Sequence, residues 1–472
     1  MRLNSWLIIL CLTGLSLLLG GHTFGINQDA YYLPLIFPGP SDVYRQSLNQ
    51  YVTWFYPMIV FFSRFISVTV VWFIFHLISI FIFVLGLVLL SRILFKTSLP
   101  GYLAVLFLMF PKFSLGGIMV GINHGYLYQS FFVFPFGLLC LWLFTRQKEL
   151  LAFSLAGLMA NFHSLTAIHL LAWLGLALLL AKKIRLATIG LGLFLLFSLP
   201  IIWQNFQSNI FHSSIVSLSG WLAFNQLRSG HHLFPFTWDL IPWFKGLWPL
   251  IGLFFIRQQR VRLLIGSAMI IFIFALIFTE FFPLKFIIQL QFFRLSMYLV
   301  VLGWLGLAAK ITLLPLKFNL PLIAALLLLT LHLPPKTSGY DQNWLAAQLW
   351  LRTNTRPDSQ LYLLPFLPTF RSFSLRSHNL IWPETTIGIV NDQAIISGFK
   401  LLADYQIDWR ALGSASPIIT AQLIAKARQM PPEAILQLAR AESASYLVLP
   451  SDWIWPKEPV YQNGSFKIIS LE

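Results

Sequence analysis

One acidic residue near the start of the chain stands where a carboxylate could do chemistry. Asp29 lies in Gly25-Ile26-Asn27-Gln28-Asp29-Ala30-Tyr31-Tyr32, directly after the first long apolar run. A carboxylate at the mouth of a membrane helix can serve as a general base, a metal ligand or a proton carrier. Its structural alternatives are capping a helix or pairing with Arg45. Acids are scarce here, since only five of the 16 Asp and Glu residues precede residue 336: Asp29, Asp42, Glu149, Asp239 and Glu280.

Cations and histidines that could bind an anionic group form a second set of candidates. Arg294 ends the stretch Gln289-Leu290-Gln291-Phe292-Phe293-Arg294, and a guanidinium can bind a phosphate through two donors at once. The alternative is a side chain that snorkels from the end of a span to the headgroups. Arg228, His231 and His232 share one loop, where a polar turn is the alternative to a binding site. Lys285 and His163 complete the set, and an interfacial or buried hydrogen bond is the alternative for His163.

The composition places these residues in a polytopic membrane protein. The chain has 472 residues, of which 57% are hydrophobic and 10% charged, and its mean hydropathy is +0.75. A membrane helix needs roughly 20 apolar residues. The long apolar runs lack the period-2 alternation of barrel strands and therefore indicate helices. We predict about eleven spans, near 5–23, 66–91, 99–115, 126–145, 149–162, 164–181, 186–204, 239–256, 262–282, 286–309 and 318–333.

The basic residues indicate orientation rather than a nucleic-acid partner. With a cytoplasmic N-terminus and alternating sides, loop cations such as Arg92, Lys182 and Arg260 fall on the cytoplasmic face, which accounts for the net charge of +16. The first span is then an uncleaved signal anchor rather than a signal peptide. We predict a multi-pass protein of the plasma (inner) membrane whose chain beyond about residue 333 is extracytoplasmic. Two cysteines, Cys11 and Cys140, form neither a disulfide framework nor a metal-ligand spacing.

The chain changes character near Leu333-Pro334-Pro335-Lys336, where apolar density falls. We predict a transmembrane domain over 1–335 and an extracytoplasmic α/β domain over 336–472. The fold class is therefore an all-α polytopic membrane bundle with a small C-terminal α/β domain. Trp453 and Trp455 are expected to pack in this tail. Its predicted elements are a helix capped by Asp341 and ending near Asn354, strands at 361–364 and 446–449, helices at 395–405, 418–429 and 433–442, and an Asn-Gly hairpin over 460–468.

The first-loop motif and this layout resemble the GT-C superfamily of integral-membrane glycosyltransferases. Asn27-Gln28-Asp29-Ala30-Tyr31-Tyr32 is similar to the family's first-loop Asp motif with its trailing aromatic residue. Ala160-Asn161-Phe162-His163-Ser164 is similar to a helix junction midway through these proteins. The comparison set is protein mannosyltransferases, aminoarabinose transferases and bacterial Rgt-like relatives. Many members carry a second acid in the next external loop, whereas residues 111–125 contain none.

The resemblance implies sugar transfer from a polyprenyl-phosphate donor to an acceptor hydroxyl at the external membrane face, with inversion. Asp29 would be the general base, and Arg294 would stabilise the leaving phosphate. The implied partners are the donor, membrane lipid and an acceptor glycan, lipid or protein, without nucleic acid. A divalent metal is the one cofactor that the resemblance suggests. The other implied substrate-binding residues are His231, His232, Lys285, Arg228, Tyr31, Tyr32 and His163.

Two other classes of function use the same residues differently. A transporter or flippase for a lipid-linked or anionic substrate would bind it with the same cations. Transport usually requires inverted repeats or broken helices at the midplane, and the sequence shows no half-to-half symmetry. A non-catalytic membrane protein on a glycosyltransferase-like scaffold is the third class, and the missing second acid favours it.

Overall fold

The computed structural model describes most of the chain. The described residues are 3–24, 28–37, 39, 42–49, 52–109, 112–113, 115, 119–120, 127–207, 215–238, 240–315, 342–410 and 416–471, with four isolated residues between 317 and 325. For Asp29 and His231 the description covers the main chain only. Asp239, Asp341 and most of the predicted span at 318–333 lie outside these residues.

The chain forms two compact units, each assembled from three segments. Unit 1 comprises Met1–Phe24, Val52–Ser208 and His232–Thr337. Unit 2 comprises Gly25–Tyr51, Asn209–His231 and Ser338–Glu472. The last division lies two residues from the boundary predicted at 335. The structure adds two segments to the tail, and one of them carries Asp29.

Unit 1 is a helical bundle built from the long apolar runs. Its one described pair of strands is a short antiparallel hairpin, β1 (Lys112–Phe113) and β2 (Met119–Val120). One helix, α11 (Leu218–Leu233), begins in unit 2, ends in unit 1 and has non-helical backbone at Ser229. The other helices are α1 (Leu3–Gly20), α4 (Phe55–Phe62), α5 (Val68–Phe95), α6 (Leu99–Leu108), α7 (Gln129–Thr145), α8 (Glu149–Ala160), α9 (Ser164–Leu180), α10 (Ile184–Gln207), α12 (Leu240–Leu247), α13 (Gln259–Leu276), α14 (Lys285–Gln289) and α15 (Ser296–Thr312).

The apolar helices of unit 1 have the length and surface of membrane-spanning segments. Among the described residues, five helical stretches are long and apolar enough to cross a membrane: Leu3–Gly20, Val68–Phe95, Ile184–Gln207, Gln259–Phe281 and Lys285–Thr312. Five further apolar helices are 10–17 residues long. Large apolar side chains such as Leu196 and Phe206 on α10 are more than half exposed, which suits a hydrocarbon surrounding. The prediction of about eleven spans remains a prediction.

Small residues allow two backbones of unit 1 to touch. A 3-10 helix over Trp248–Phe255 packs against α15. A Cβ atom added at Gly252 would collide with the carbonyl oxygen of Gly303, and one at Gly306 would collide with the carbonyl oxygen of Gly252. Helices in a membrane associate through such close backbone packing, because lipid supplies no hydrophobic driving force between them.

Glu149, one of the five acids that precede residue 336, has a structural role in unit 1. Its Oε1 lies 2.8 Å from Arg260 Nη1 and 3.4 Å from Lys183 Nζ. Arg260 Nη1 also donates to the carbonyl oxygen of Phe144 at 2.8 Å. The carboxylate therefore joins the ends of α7, α8 and α13 to the turn before α10, and its side chain is buried.

Unit 2 has a five-stranded mixed sheet in the order β4-β3-β5-β7-β6. The strands are β3 (Gln360–Leu363), β4 (Ser377–His378), β5 (Tyr446–Pro450), β6 (Tyr461–Gln462) and β7 (Phe466–Ser470). The central strand β5 runs parallel to β3 and antiparallel to β7. Helices surround the sheet: α2 (Gln28–Tyr32), α3 (Val43–Asn49), α16 (Gln342–Asn354), α17 (Arg371–Ser374), α18 (Asp392–Asp404), α19 (Ser416–Gln429) and α20 (Pro432–Ala441).

The predicted elements of the tail are confirmed within one to three residues at their ends. The two buried strands and the Asn463-Gly464 hairpin are present, and the four helices appear as α16, α18, α19 and α20. Trp453 and Trp455 pack against the sheet core, as predicted. The short strand β4 and the single-turn helix α17 were not predicted, because four residues or fewer carry no periodicity.

Candidate functional site

The short helix that carries Asp29 is held by side chains of unit 2. The hydroxyl of Ser372 donates to the carbonyl oxygen of Ala30 at 2.7 Å, and the hydroxyl of Tyr44 donates to the carbonyl oxygen of Tyr31 at 2.9 Å. Ala30 belongs to the same apolar core as strands β3 and β5. The main chain on the C-terminal side of Asp29 is therefore fixed at two consecutive carbonyl groups.

One turn of the tail makes most of these contacts. Helix α17 begins with Arg371, Ser372 and Phe373, and each of the three touches the first-loop segment. Arg371 pairs with Asp42, Ser372 binds the Ala30 carbonyl, and the Phe373 ring lies 6.4 Å from that of Phe37. The first loop and the tail thus form one packed unit, even though almost the whole bundle separates them in sequence.

A buried ion cluster lies beside this turn. Arg371 is 1% exposed, and its Nη2 is 3.3 Å from Glu384 Oε2 and donates to the carbonyl oxygen of His378 at 2.8 Å. Its Nη1 is 3.3 Å from Asp42 Oδ2, an ion pair without hydrogen-bond geometry. The guanidinium also lies over the ring of Tyr44, 5.2 Å from the centroid. One cation therefore faces two carboxylates in a water-poor environment, where charges interact strongly.

Burial controls the protonation of this cluster. It raises the pKa of Glu384 to about 7, with Asp42 adding to the rise and Arg371 opposing it. Burial also lowers the pKa of His378 well below its usual value, and Arg371 lowers it further. The phenol of Tyr44 has a raised pKa, again mainly because it is buried. His378 is therefore neutral, and Glu384 titrates near neutral pH.

We expect Glu384 to make unit 2 less stable as the pH rises. Its folded pKa of about 7 exceeds its ordinary value of 4.5, so its contribution is complete below pH 4.5 and is lost as the pH rises through 7. Replacing Glu384 by Gln removes this titration but leaves Asp42, Arg371 and His378 in place. The difference in free energy of unfolding between wild type and Glu384→Gln, measured at pH 5 and at pH 8, should favour wild type more at pH 5. A difference that grows toward pH 8 would contradict the raised pKa.

Arg228, a predicted substrate-binding residue, is tied to the tail. Its Nε lies 3.3 Å from the carbonyl oxygen of Trp382 and 3.2 Å from Thr385 Oγ1. Its Nη2 donates to the Pro383 carbonyl oxygen at 3.0 Å and to Thr386 Oγ1 at 3.2 Å. These bonds attach Arg228 to the first turns of the 3-10 helix Trp382–Ile389 and give it a structural role, while its role toward a substrate remains a prediction.

Both tyrosines of the first-loop motif lie near this region. Burial raises the pKa of Tyr31 to about 12, with Glu384 adding to the rise and Arg228 opposing it. Burial lowers the pKa of Arg228 to about 10, and Tyr31 opposes that fall. Tyr32 contributes to the raised pKa of Tyr44. The structure therefore brings Tyr31, Tyr32 and Arg228 into electrostatic range of one buried cluster.

A second polar cluster lies in unit 1. Arg294 sits in the 3-10 turn Phe292–Leu295 and is within electrostatic range of His163 and His169. His163 caps α9, with its Nδ1 2.7 Å from Thr166 Oγ1. His169, one turn further along, contacts the carbonyl oxygen of Leu290. Gln291, which precedes the turn, has left-handed backbone with φ of 48°.

His169 was not selected from the sequence, although a signal was present. It is an ionisable side chain inside an apolar helix, and such residues are expensive in a membrane and usually functional. The Arg371, Glu384 and His378 cluster was also missed, since these residues stand at no characteristic spacing in the tail. The one hint in the sequence was the concentration of Arg and His in residues 371–378, followed by Glu384.

The remaining predicted residues divide between the units. Asp29, Tyr31, Tyr32, Arg228 and His231 belong to unit 2, and His163, His232, Lys285 and Arg294 belong to unit 1. His232 and Lys285 are half-buried. Glu280, another of the scarce acids, accepts a hydrogen bond from the Phe236 amide at 2.8 Å. Within the described part of the chain, no three His, Cys, Asp or Glu side chains cluster as a metal site would require.

Comparison with protein-family models and with curated proteins finds no match for this chain. The functional argument therefore depends on the two clusters and on the short first-loop motif.

Proposed function

We propose that this protein transfers a sugar from a polyprenyl-phosphate donor to an acceptor hydroxyl at the membrane surface, with inversion. The observation that carries the proposal is the fixed main chain of the helix bearing Asp29. Two consecutive carbonyl groups, those of Ala30 and Tyr31, are bound by Ser372 and Tyr44. A general base needs a defined position, because small displacements from the reactive geometry cost large factors in rate.

The proposed step assigns one residue to accept a proton and another to stabilise the leaving group. The acceptor oxygen attacks the anomeric carbon while its proton passes to the Asp29 carboxylate. The bond between the anomeric carbon and the phosphate oxygen breaks, and its electron pair leaves with the polyprenyl phosphate. For the negative charge that develops on this oxygen we propose Arg294 as the stabilising cation, because a guanidinium can bind a phosphate through two donors. His163 and His169 are within electrostatic range of Arg294.

The other candidate residues have supporting roles in this proposal. Tyr31 and Tyr32 present aromatic faces to the sugar. His231, His232 and Lys285 are further contacts for the donor's phosphate. Arg228 holds the chain just before His231 and His232 in place through its hydrogen bonds to the 3-10 helix Trp382–Ile389. The proposed catalytic face is the extracytoplasmic one in the predicted topology.

The test is a lipid and glycan profile of cells that lack the protein. We expect the lipid-linked sugar donor to accumulate, one envelope glycan, glycolipid or glycoprotein to lose a sugar, and wild-type protein to restore both. Loss of a flippase would instead leave the donor in the cytoplasmic leaflet, which a leaflet-specific label distinguishes. Normal profiles of donor and products in the deletion strain would overturn the proposal.

Replacing Arg294 should weaken transfer in a way that depends on charge geometry. We expect Arg294→Gln to lower kcat about 10²–10³-fold, as the loss of one electrostatic stabiliser of a transition state does. Arg294→Lys keeps the charge but not the two-donor fork, and should recover part of the loss. The measurement is transfer in proteoliposomes with purified donor, and Arg185→Gln, an exposed cation at the start of α10, is the control. Equal activity of wild type and Arg294→Gln would remove Arg294 from the mechanism.

A further inference from the structure

An apolar cavity of about 620 Å³ opens in unit 1 between α4, α5, α7 and α8. No nitrogen or oxygen atom contributes to its surface, and its walls are aromatic, aliphatic and methionine side chains. Met58 and Phe62 of α4, Ile74 of α5, Phe132 of α7 and Leu155 of α8 are among the residues that line it. The volume is in the range of small-molecule binding sites.

The cavity lies toward one end of these helices. Its residues come from the first half of α5, the first half of α7 and the last half of α8, and Phe162 closes it beyond the end of α8. Thr53, which precedes α4, donates to the Phe162 carbonyl oxygen at 2.6 Å and fixes this end. The polar side chain of His163 follows Phe162 directly, so the cavity stops where the apolar span stops.

The mouth of the cavity faces sideways. Five of the residues that line it are themselves exposed, among them Phe62 at 42%, Ile66 at 44% and Leu158 at 47%. Neighbouring apolar side chains such as Val70 and Phe73 on α5 are exposed as well. Helix α5 is apolar and long enough to cross a membrane. The phase that meets this mouth is therefore lipid hydrocarbon rather than water.

A cation, Arg64, lies beside the mouth of the cavity. Arg64 lies between the lining residues Phe62 and Ile66, just before the start of α5, and its side chain is exposed. Its side chain forms no ion pair with any residue for which side-chain positions are described. A cation just outside the apolar span lies at the level of lipid headgroups, where it attracts phosphate.

We propose that this cavity binds one acyl chain of a bilayer glycerophospholipid, with the lipid phosphate at Arg64. Walls without polar atoms cannot select among hydrocarbon chains, so the most abundant chain at the mouth fills the site. In a membrane that chain belongs to the bulk phospholipid. The cavity borders His163 through Phe162, but this proposal depends on the cavity's own lining and on Arg64 rather than on the proposed sugar transfer.

The test uses full-length protein in nanodiscs that contain phosphatidylglycerol with a photoreactive diazirine in one acyl chain. We expect cross-links to concentrate on peptides from α4, α5, α7 and α8. Leu155→Trp fills the cavity and should remove most of this labelling, whereas Leu196→Trp, on the exposed face of α10, should leave it unchanged. Even labelling of cavity peptides and of α1 or α10 would overturn the proposal.

A second variant keeps the proposal testable if Leu155→Trp fails to fold. Arg64→Gln should lower labelling by phosphatidylglycerol about fivefold, the ratio that corresponds to about 1 kcal/mol for one cation near anionic headgroups. Labelling by a diazirine diacylglycerol, which lacks the phosphate, should not change. Native mass spectrometry identifies the retained lipid. Retention of a polyprenyl phosphate instead of a phospholipid, or equal effects on both probes, would overturn the assignment.

Discussion

Asp29→Asn will reduce sugar transfer about 10²–10⁴-fold, the usual contribution of a general base. Asn keeps the size of the side chain and accepts hydrogen bonds, but it cannot take the proton from an acceptor hydroxyl. The helix that carries it should be unaffected, since its contacts run through the carbonyl groups of Ala30 and Tyr31. The measurement is single-turnover transfer in proteoliposomes, with membrane yield determined for both proteins.

A matched control is available in the same unit. Asp358 is an exposed acid, paired with exposed Arg356, and Asp358→Asn removes a charge without touching the first loop. Its transfer rate should equal that of wild type. Undiminished transfer by Asp29→Asn at normal yield would exclude Asp29 as the base. The lipid and glycan profile of the deletion strain would then decide separately whether the protein transfers a sugar. A loss shared by both variants would indicate a general effect of charge.

Arg371→Met will destabilise unit 2 by about 3–5 kcal/mol, the cost of leaving buried charges without their partner. Arg371 is 1% exposed and faces Asp42 on one side and Glu384 on the other, so its removal strands carboxylates of very low exposure. It also removes the donor to the His378 carbonyl oxygen. Hydrogen exchange of the amides in β3 and β5 measures the change, because core strands exchange through global opening.

Two comparisons decide whether burial is the cause. Arg356→Met breaks an ion pair whose side chains are 81% and 69% exposed, and it should cost less than about 1 kcal/mol. Combining Arg371→Met with Asp42→Asn and Glu384→Gln removes the stranded charges and should recover much of the stability. Equal losses of unfolding free energy for Arg371→Met and Arg356→Met would show that burial does not increase the contribution of the Arg371 ion pairs to stability.

The cluster also bears on the proposed chemistry. Helix α17 uses Arg371 for the ion pair and Ser372 for the Ala30 carbonyl oxygen, so disorder at Arg371 should spread to the helix of Asp29. We therefore expect Arg371→Met to lower transfer as well as stability. In the proposed mechanism the buried ions of unit 2 would therefore act as positioning residues for Asp29.

Local composition was enough to select the candidate residues. Asp29 and Arg294 stood out because ionisable residues are rare near apolar spans. Glu149 stood out for the same reason, yet it proved to be a structural ion-pair partner of Arg260 and Lys183. Scarcity identifies a residue that needs an explanation, and contacts decide which explanation applies.

By itself the sequence determined the apolar helices and the strands of the tail. Runs of about 20 apolar residues and the Asn463-Gly464 turn act over short distances, so they can be recognised without knowing their neighbours. Only the tertiary structure decided that Gly25–Tyr51 and Asn209–His231 pack with the tail. The pairing of Asp42 with Arg371 and the raised pKa of Glu384 arise from groups distant in the chain that share one dry interior. Desolvation and ion pairing depend on that surrounding, which no local spacing encodes.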